Sequence, residues 1–450
     1  MKNLYILLVI STIFNSCSNP SKNKKDAENF YQKGDFNNAL LAVNQAISYE
    51  PDSVTHYILR AMIYDQTGFY KDEITDLNTI FMLKKKKGNK AINLHFQLSY
   101  AKFMLGLYQD ALNDINFYID NSEMSNSLLE AYLQKASILY QLNELEEAKK
   151  FYNLALKENV KNNPVIKSNS LVGLSNIEKS PNKKLELLSK AIEINKYCDA
   201  AYGSRGVVLL EKNDLENAYI DLCKAIKIAP NNSLYYMNLA EFYSSYRRNS
   251  DSAIYYYKKA TELAPDSPFN ADNYMTIAVH YSWLEDYENS LFYFKKSDSL
   301  NPQNDIMLYN YSMLLSDMNR NEDALKKINR ALKVNSKDAE YYNLKGLILS
   351  DLSNLKGAED AYLFSIKLNS KNGLTFFNLA NLFGDQNKHS EAIKNYDCAV
   401  NLNYDLKNTL VNRAIEKIKI NKLSSACFDL KKAKKLGRND IDPLINQYCN

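Results

Sequence analysis

Residues 199–232, DAAYGSRGVVLLEKNDLENAYIDLCKAIKIAPNN, contain two amphipathic helical segments joined by a short polar turn. Gly206 in the first segment and Ala218 and Ala225 in the second are small, and larger apolar residues surround them. Two antiparallel helices approach closely where side chains are small, and larger side chains fill the remaining space. Pro230 cannot continue the second helix. The stretch therefore predicts one helical hairpin.

Small residues at these positions recur every 34 residues in the second half of the chain. A hairpin that cannot bury its apolar face alone must stack on copies of itself, so this period predicts a repeat array. In the same register, about twelve units occupy residues 26–440. Glu73 in the second unit and Lys184 in the fifth replace the expected alanine, so we expect different packing there. The three series are Ala278, Ser312, Gly346, Ala380 and Ala414; Ala324, Ala358, Ala392 and Ala426; and Ala331, Ser365, Ala399 and Ala433.

The composition agrees with an array of helices. A single hydrophobic core stops growing at about 250–300 residues, whereas this chain has 450. Only 12 Gly and 9 Pro are present, too few for the many tight turns of a large β-sandwich or α/β enzyme. The predicted fold class is therefore all-α. Lys and Arg total 56 against 52 Asp and Glu, and only 8 of the 56 are Arg, so the charge gives no reason to expect a nucleic-acid partner.

The unit at 199–232 resembles the tetratricopeptide repeat (TPR). Counted from Asp199, it has a large residue at position 4, a small one at position 8, Ala at positions 20 and 27, and Pro at position 32. The resemblance covers essentially the whole mature chain. It implies a right-handed α-solenoid in which the first helices of successive repeats line a concave groove. Residues 441–450 would then form a capping helix over the exposed end of the array.

Residues 1–17 predict a targeting segment. Lys2 precedes an apolar stretch, Leu4 to Phe14, whose eleven residues are too few to span a bilayer. The four residues that end the segment, FNSC, resemble a bacterial lipobox of the relaxed kind found in Bacteroidetes. This resemblance implies that Cys17 is lipidated. An ordinary cleaved signal peptide with a coincidental cysteine is the alternative.

A polar tether follows the cysteine over residues 18–25, which consist only of Ser, Asn, Pro and Lys and show no periodicity. By the sorting habit of bacterial lipoproteins, Ser18 directly after the cysteine implies the outer membrane. No acidic cluster follows, which favours the periplasmic side of that membrane. We therefore expect a lipid-anchored protein of the bacterial cell envelope.

The sequence contains no motif for catalysis or for binding a metal or cofactor. His56, His95, His280 and His389 are in different units, and no HExxH or clustered Cys/His spacing occurs. Phosphate-binding loops of the form GxxxxGK[ST] or GxGxxG and the nucleophile motif GxSxG are also missing. We expect a non-enzymatic protein without cofactor, metal or small-molecule substrate. His95 stands at the large position 4 of its unit, where core filling is its expected role.

Two cysteine pairs are candidate disulfides. Cys198 precedes the first helix of its unit, and Cys223 lies near the end of the antiparallel second helix. Cys427 is in the last repeat and Cys449 in the cap, where a bond would limit fraying. The alternative is that these cysteines are buried small hydrophobes.

If the groove implied by the TPR resemblance is present, positions 5 and 6 of the first helices are its candidate ligand-binding residues. An amide at position 6 has both a donor and an acceptor, so it can pair with a peptide group, as in the asparagine ladder of some TPR superhelices. Chance placement of an abundant residue is the alternative, because Thr276 and Leu344 interrupt the series. The residues at position 5 form either an apolar wall of the groove or half-buried packing between helices. Trp283 is either an anchor for a ligand or a core residue. The candidates are Asn238, Asn310, Asn378 and Asn412 at position 6 and Met237, Met275, Tyr309 and Phe377 at position 5.

An acidic row forms a third candidate feature. Asp317, Asp351 and Asp385 are 34 residues apart, each in the last turn of a first helix. Negative charge there opposes the helix dipole at a cost of about 0.3–1 kcal/mol each, so we expect something to compensate. Local turn chemistry with the residues that follow is one interpretation, and a stripe that binds a basic peptide is the other.

These features predict a protein or peptide partner, as in the TPR lipoproteins that organise envelope assemblies. The first hypothesis is a lipid-anchored interaction scaffold that binds a protein segment in the concave groove. A glycan- or nutrient-binding accessory lipoprotein, suggested by the many tyrosines, and a sensory module of a signalling system are the alternatives. The repeats specify fold far better than function.

Overall fold

The computed structural model describes residues 22–85, 91–122, 125–157 and 163–449, and within these ranges it contains twenty-five helices and no strand. The targeting segment, including Cys17, lies outside the described residues, as do the first residues of the tether. None of the described helices is long and apolar enough to cross a membrane.

Twenty-four of the helices alternate as A and B helices of twelve hairpins, and the last one follows alone. The A helices are α1 Lys22–Gln32, α3 Val54–Thr67, α5 Ile92–Met104, α7 Ser125–Gln141, α9 Pro164–Ile177, α11 Asp199–Glu211, α13 Ser233–Glu241, α15 Asn270–Trp283, α17 Asp305–Asp317, α19 Ala339–Asp351, α21 Gly373–Asp385 and α23 Leu406–Lys419. The B helices are α2 Phe36–Tyr49, α4 Tyr70–Lys85, α6 Tyr108–Asn121, α8 Leu145–Lys157, α10 Pro181–Ile194, α12 Leu215–Ile228, α14 Ser250–Leu263, α16 Tyr287–Leu300, α18 Asn321–Val334, α20 Leu355–Leu368, α22 His389–Asn401 and α24 Leu423–Lys435. The last helix is α25 Asp442–Tyr448.

The chain divides after Asn273 into two compact units, an N-terminal and a C-terminal one. Within each unit the A helix of a repeat packs on the B helix of the same repeat, and that B helix packs on the A helix of the next repeat. The core is therefore a line of small clusters along the chain rather than one central cluster. This is the packing expected of a repeat array.

The contact between A and B helices is as close as the small residues suggest, and all members of the three series are buried. Where serine replaces alanine, its hydroxyl donates to a carbonyl across the contact. Ser312 Oγ donates to the Ala324 carbonyl at 2.9 Å, and Ser290 Oγ donates to the Ala278 carbonyl at 2.8 Å. A Cβ at Gly346 would lie 2.6 Å from the Tyr362 ring, so only glycine fits there without movement.

Most of the turns from A to B helix contain a residue in the left-handed region. In the repeat of α17 and α18 this is Asn319, with φ 56°. The Asn319 N–H donates to the Ser316 carbonyl and the Arg320 N–H to the Leu315 carbonyl, both at 2.8 Å. These bonds satisfy carbonyls that the end of the A helix leaves without a partner.

Buried Arg–Asp pairs reinforce three of the repeats, a feature that the sequence analysis missed. An A-helix arginine donates two hydrogen bonds to an aspartate 16 residues later on the B helix, as Arg413 does to Asp429 at 2.6 and 2.9 Å. The same guanidinium reaches Asp397 of the preceding B helix at 2.7 Å, so it joins three helices. The other two pairs are Arg60–Asp76 and Arg205–Asp221.

The two units with an unusual residue at the alanine position still form hairpins. In the second, Glu73 is only 5 % exposed, and in the fifth, Lys184 is half-buried. Another irregularity lies after α13, where residues Phe242–Tyr246 form a π-helical turn. That turn takes up an extra residue, because the small pair Ala240 and Ala253 is one position farther apart than its equivalents.

Helix α25 packs on the last repeat through Leu444 and Ile445, which contact the cluster around Leu430. A disulfide joins Cys427 to Cys449, with a Cα–Cα distance of 5.2 Å. It connects the last B helix to the residue directly after α25.

The proposed bond between Cys198 and Cys223 is not formed, and both are free thiols. Cys198 faces the preceding repeat, where its Sγ donates to Asn169 Oδ1 at 3.4 Å. Cys223 packs with the cluster that includes Leu239 of the following repeat. The two thiols are separate because they face opposite neighbours, and burial raises the pKa of each.

Replacing Asp429 by Asn should lower the free energy of unfolding by about 3 kcal/mol, because the change leaves two buried cations without their counter-charge. Asp429 is 0 % exposed and also accepts from Lys417 at 2.7 Å. Asp397→Asn is the matched control, because Asp397 pairs with the same arginine but its side chain is 48 % exposed. Its loss should be about 1 kcal/mol or less. Equal losses for the two variants, measured by urea unfolding, would contradict this assignment.

Cys427→Ser should destabilise the C-terminal repeat by about 3 kcal/mol, the entropic contribution expected for a loop of this length. The bridged residues are 22 apart in sequence. Hydrogen exchange of α24 and α25 amides measures the effect, and treatment of the unmodified protein with a reductant should reproduce it. Cys398→Ser is the control, since Cys398 is a free thiol. Unchanged exchange in the Cys427 variant would show that the bond contributes nothing.

Candidate functional site

Three successive A helices of the C-terminal unit present equivalent pairs of residues four positions apart. Residues at i and i+4 lie on one face of a helix, and the 34-residue period places them on the same side of each repeat. We call this surface the acidic face. It consists of Met313 and Asp317 on α17, Leu347 and Asp351 on α19, and Asn381 and Asp385 on α21.

Side-chain amides connect neighbouring A helices beside the acidic face. Asn378 Nδ2 donates to Asn343 Oδ1 at 3.1 Å, and Asn412 Nδ2 donates to Asn381 Oδ1 at 3.4 Å. Each of these two predicted ladder residues therefore uses one amide hydrogen inside the protein. Asn310 makes no side-chain hydrogen bond within the described ranges, so its amide remains available.

The fourth predicted ladder residue belongs to the other compact unit. Asn238 and its neighbour Met237 are half-buried on α13, which belongs to the N-terminal unit. Leu344 on α19, at the same repeat position as the asparagines, is buried in the core. The amide row of the C-terminal unit thus comprises Asn310, Asn378 and Asn412, with a break at α19.

The three predicted wall residues of the C-terminal unit pack against neighbouring helices. Tyr309 stacks on Tyr341 with 5.0 Å between ring centroids. Phe377 contacts the Tyr396 ring at 5.8 Å, and Met275 packs against the cluster around Phe294. These side chains are half-buried, which agrees with packing between helices, the alternative to a groove wall at position 5.

Different apolar residues are exposed on the acidic face. Met313 is 40 % exposed and Leu347 is 41 % exposed, and Ile306 on the first turn of α17 is 56 % exposed. The sequence analysis missed them, although their spacing was visible. Met313 and Leu347 are 34 residues apart, and each precedes an acidic-row residue by four.

The carboxylates of Asp317, Asp351 and Asp385 are exposed, and within the described residues none forms an ion pair or hydrogen bond. The surrounding protein raises the pKa of Asp317 and of Asp351 by partial desolvation. The A-to-B turn is closed by backbone hydrogen bonds. Turn chemistry therefore does not occupy these side chains, and the opposing charge at the helix end remains uncompensated.

The contacts of two further candidate residues, Trp283 and His95, indicate their roles. Trp283 is 66 % exposed and touches the His280 ring edge-on, so it is not a core residue. His95 lies 2.7 Å from Asp114 Oδ1, and Lys102 Nζ lies 2.6 Å from Asp114 Oδ2. Because His95 also contacts Phe81 and Phe117, it has a packing role. Across the described residues, no group of three or more His, Cys, Asp or Glu is placed to hold a metal ion.

Family models described as "Tetratricopeptide repeat" match residues 129–159, 199–232, 271–304 and 312–368. The chain contains tetratricopeptide repeats. The matched segments include the helix α19 of the acidic face and the end of α17 from residue 312. The predicted all-α fold of TPR hairpins is confirmed.

Known TPR proteins resemble between 42 % and 89 % of the chain. A TPR repeat-containing protein of Methanocaldococcus jannaschii is 24 % identical over 436 residues, which are 89 % of this chain and 74 % of that protein. A TPR protein from Parabacteroides merdae is 21 % identical in its crystal structure, with a TM-score of 0.46, covering 56 % of this chain and 99 % of that one. YrrB, a TPR protein with an unusual peptide-binding site, is 20 % identical with a TM-score of 0.38 over 42 % of this chain and 96 % of that one.

Proposed function

We propose that this TPR protein is a non-enzymatic scaffold that binds a basic, partly apolar protein segment along its acidic face. The observation that carries the proposal is the row of three exposed carboxylates without a cation, on three consecutive repeats. TPR repeats as a class form surfaces for protein–protein interaction, which agrees with this role. A cationic segment would supply the charge that the ends of the A helices lack.

The acidic face offers three kinds of contact to such a segment. The carboxylates attract Lys or Arg, and their partial desolvation strengthens each ion pair relative to one in open water. Met313 and Leu347 offer exposed apolar surface to aliphatic side chains. The available amide of Asn310 can donate to and accept from a peptide group without selecting a side chain. Charge and backbone contacts would set position, and the apolar contacts would add affinity.

The proposed scaffold is anchored in the bacterial envelope through a lipid on Cys17, on the periplasmic side of the outer membrane. The support is the apolar segment that ends in FNSC at residues 14–17 and the polar residues after it. Cys17→Ala tests the anchor in cells fed a labelled fatty acid. The label and the membrane fraction should both be lost, whereas an ordinary cleaved secreted protein would show no label in either form.

Glycan binding is a second candidate because large rings are exposed in the C-terminal unit. Trp283 is 66 % exposed and Phe292 is 50 % exposed, and exposed rings of this kind stack on sugars. Trp283→Ala separates the two candidates. It should abolish binding to a glycan array if the rings are the site, and it should leave basic-peptide binding unchanged if the acidic face is the site.

Replacing Asp317, Asp351 and Asp385 together by Asn should weaken binding of a labelled peptide of alternating Lys and Leu by tenfold or more. Three exposed charge pairs at about 0.5 kcal/mol each give this magnitude. A Glu/Leu peptide should not bind either protein. The matched control replaces the exposed B-helix acids Glu322, Asp360 and Glu391 by their amides. Equal weakening in the control would show a non-specific charge effect.

Binding of the Lys/Leu peptide should be lost on acidification. The midpoint should lie at a higher pH than for a site made of aspartates with an unperturbed pKa. The pKa of Asp317 and Asp351 is raised, so these groups lose their charge before an unperturbed carboxyl does as pH falls. Fluorescence anisotropy titrated with pH measures the midpoint, and the triple Asn variant should show no such transition.

A further inference from the structure

The last B helix, α24, presents a basic surface that is separate from the acidic face. Its exposed residues Lys431, Lys432 and Lys435 follow the exposed Phe428 by three, four and seven positions, so all four lie on one side of the helix. Within the described part of the chain, none of the three lysines forms an ion pair or hydrogen bond. We call these four residues the basic face.

The charge of the basic face is not balanced by acids of the same helix. Asp429 is the only acid in α24, and it is buried against Arg413. Among the B helices described in the C-terminal unit, α24 is the one whose exposed charges are all positive. Each of the others exposes an acid: Glu288 on α16, Glu322 on α18, Asp360 on α20 and Glu391 on α22.

The packing of the repeat does not require an apolar residue at Phe428, whose side chain is 68 % exposed. At 34-residue intervals before it, the three preceding repeats carry exposed charged residues, Lys394, Asp360 and Lys326. An aromatic ring that is exposed among charged side chains is typical of an interaction site. The basic face thus combines unpaired positive charge with an apolar contact surface.

We propose that the segment bound by the acidic face of one molecule is the basic face of a second copy of this chain. This inference rests on the proposed function, since it names the partner of the acidic face. A basic, partly apolar segment is what the acidic face requires, and α24 supplies three lysines and a phenylalanine. The lysines would pair with the row of aspartates, and Phe428 would cover the exposed side chains of Met313 and Leu347.

The two faces have similar lengths. Helix α24 has 13 residues, so it is about 20 Å long at a rise of 1.5 Å per residue. Three neighbouring A helices, separated by about 8–10 Å each, extend over roughly 16–20 Å. A helix of this length that lies across α17, α19 and α21 therefore contacts all three.

The charges permit only one arrangement of two copies. Two acidic faces repel each other, and so do two basic faces, so the contact joins unlike faces. In the described part of one chain, the aspartates of the acidic face and the lysines of the basic face do not pair with each other. Each molecule therefore keeps both faces for its neighbours. Because a contact between unlike faces leaves one of each kind free, the copies add head to tail.

Sedimentation velocity of the full chain tests this contact, in a non-ionic detergent so that an N-terminal lipid does not itself cause association. The unmodified protein should form dimers and larger species as its concentration rises. High salt should dissociate them, because exposed ion pairs are screened. A protein that stays monomeric at every concentration would overturn the proposal.

Two triple variants, each with one intact face, make the test specific. The first is the triple Asn variant of the acidic face, and the second carries Lys431→Gln, Lys432→Gln and Lys435→Gln. Each should be a monomer alone. An equimolar mixture should form pairs and no larger species, because only one competent contact remains. A mixture that stays monomeric, or a variant that associates alone as the unmodified protein does, would overturn the proposal.

The matched control removes the same charge elsewhere, with Lys295→Gln, Lys333→Gln and Lys394→Gln. These exposed lysines lie on the B helices α16, α18 and α22. The control should associate like the unmodified protein, and an equal loss would overturn the proposal by showing a general charge effect. Phe428→Ser should weaken association about tenfold, because the contact loses the apolar area of the ring.

The Lys/Leu peptide distinguishes failure of this inference from failure of the proposed function. If the lysine variant binds the peptide but does not pair with the aspartate variant, the acidic face has a different partner and only the contact between copies is wrong. If it binds neither, both proposals are wrong. Binding of the unmodified protein to phosphatidylglycerol vesicles that the lysine variant loses, without association between copies, would assign the basic face to a membrane and overturn this inference.

Discussion

The close approach of A and B helices within each repeat is the contact on which the other features depend. Alanine, serine or glycine at three fixed positions lets the two backbones come together, and the larger residues then form clusters that each span neighbouring repeats. A hairpin of this kind leaves one apolar side open, which the next repeat covers. The regular placement of the A helices, and with it the alignment of residues 34 apart, follows from this contact.

This regularity explains which predictions from sequence succeeded. The small-residue series depends only on the period, so it predicted the hairpins. Contacts that depend on which neighbour a side chain faces were harder to predict. Cys198 and Cys223 lie at the same end of two antiparallel helices, which suggested a bond between them. In the structure Cys198 contacts the preceding repeat and Cys223 contacts the following repeat. Pairs such as Arg413 and Asp429 were missed because a separation of 16 residues predicts a contact only when the alignment of the two antiparallel helices is known.

The candidate site was predictable in part for the same reason. The period identified the row of Asp317, Asp351 and Asp385, but it could not distinguish an exposed apolar residue from a half-buried one. Tyr309 stacks on the Tyr341 ring of the next repeat and Phe377 contacts the Tyr396 ring of its own repeat, whereas the Met313 and Leu347 side chains are 40 % and 41 % exposed. Glu73 departed from the repeat pattern in the sequence, yet the hairpin forms with this side chain buried at 5 % exposure.

The direct amide contact between Asn378 and Asn343 has a consequence for any extended chain held along this side of the repeats. Helices in contact lie about 8–10 Å apart, and an extended chain advances about 3.3 Å per residue. One repeat therefore corresponds to about three residues of such a chain. A segment that matched the three aspartates would carry its basic residues at every third position, a pattern that can be sought in the sequences of candidate partner proteins.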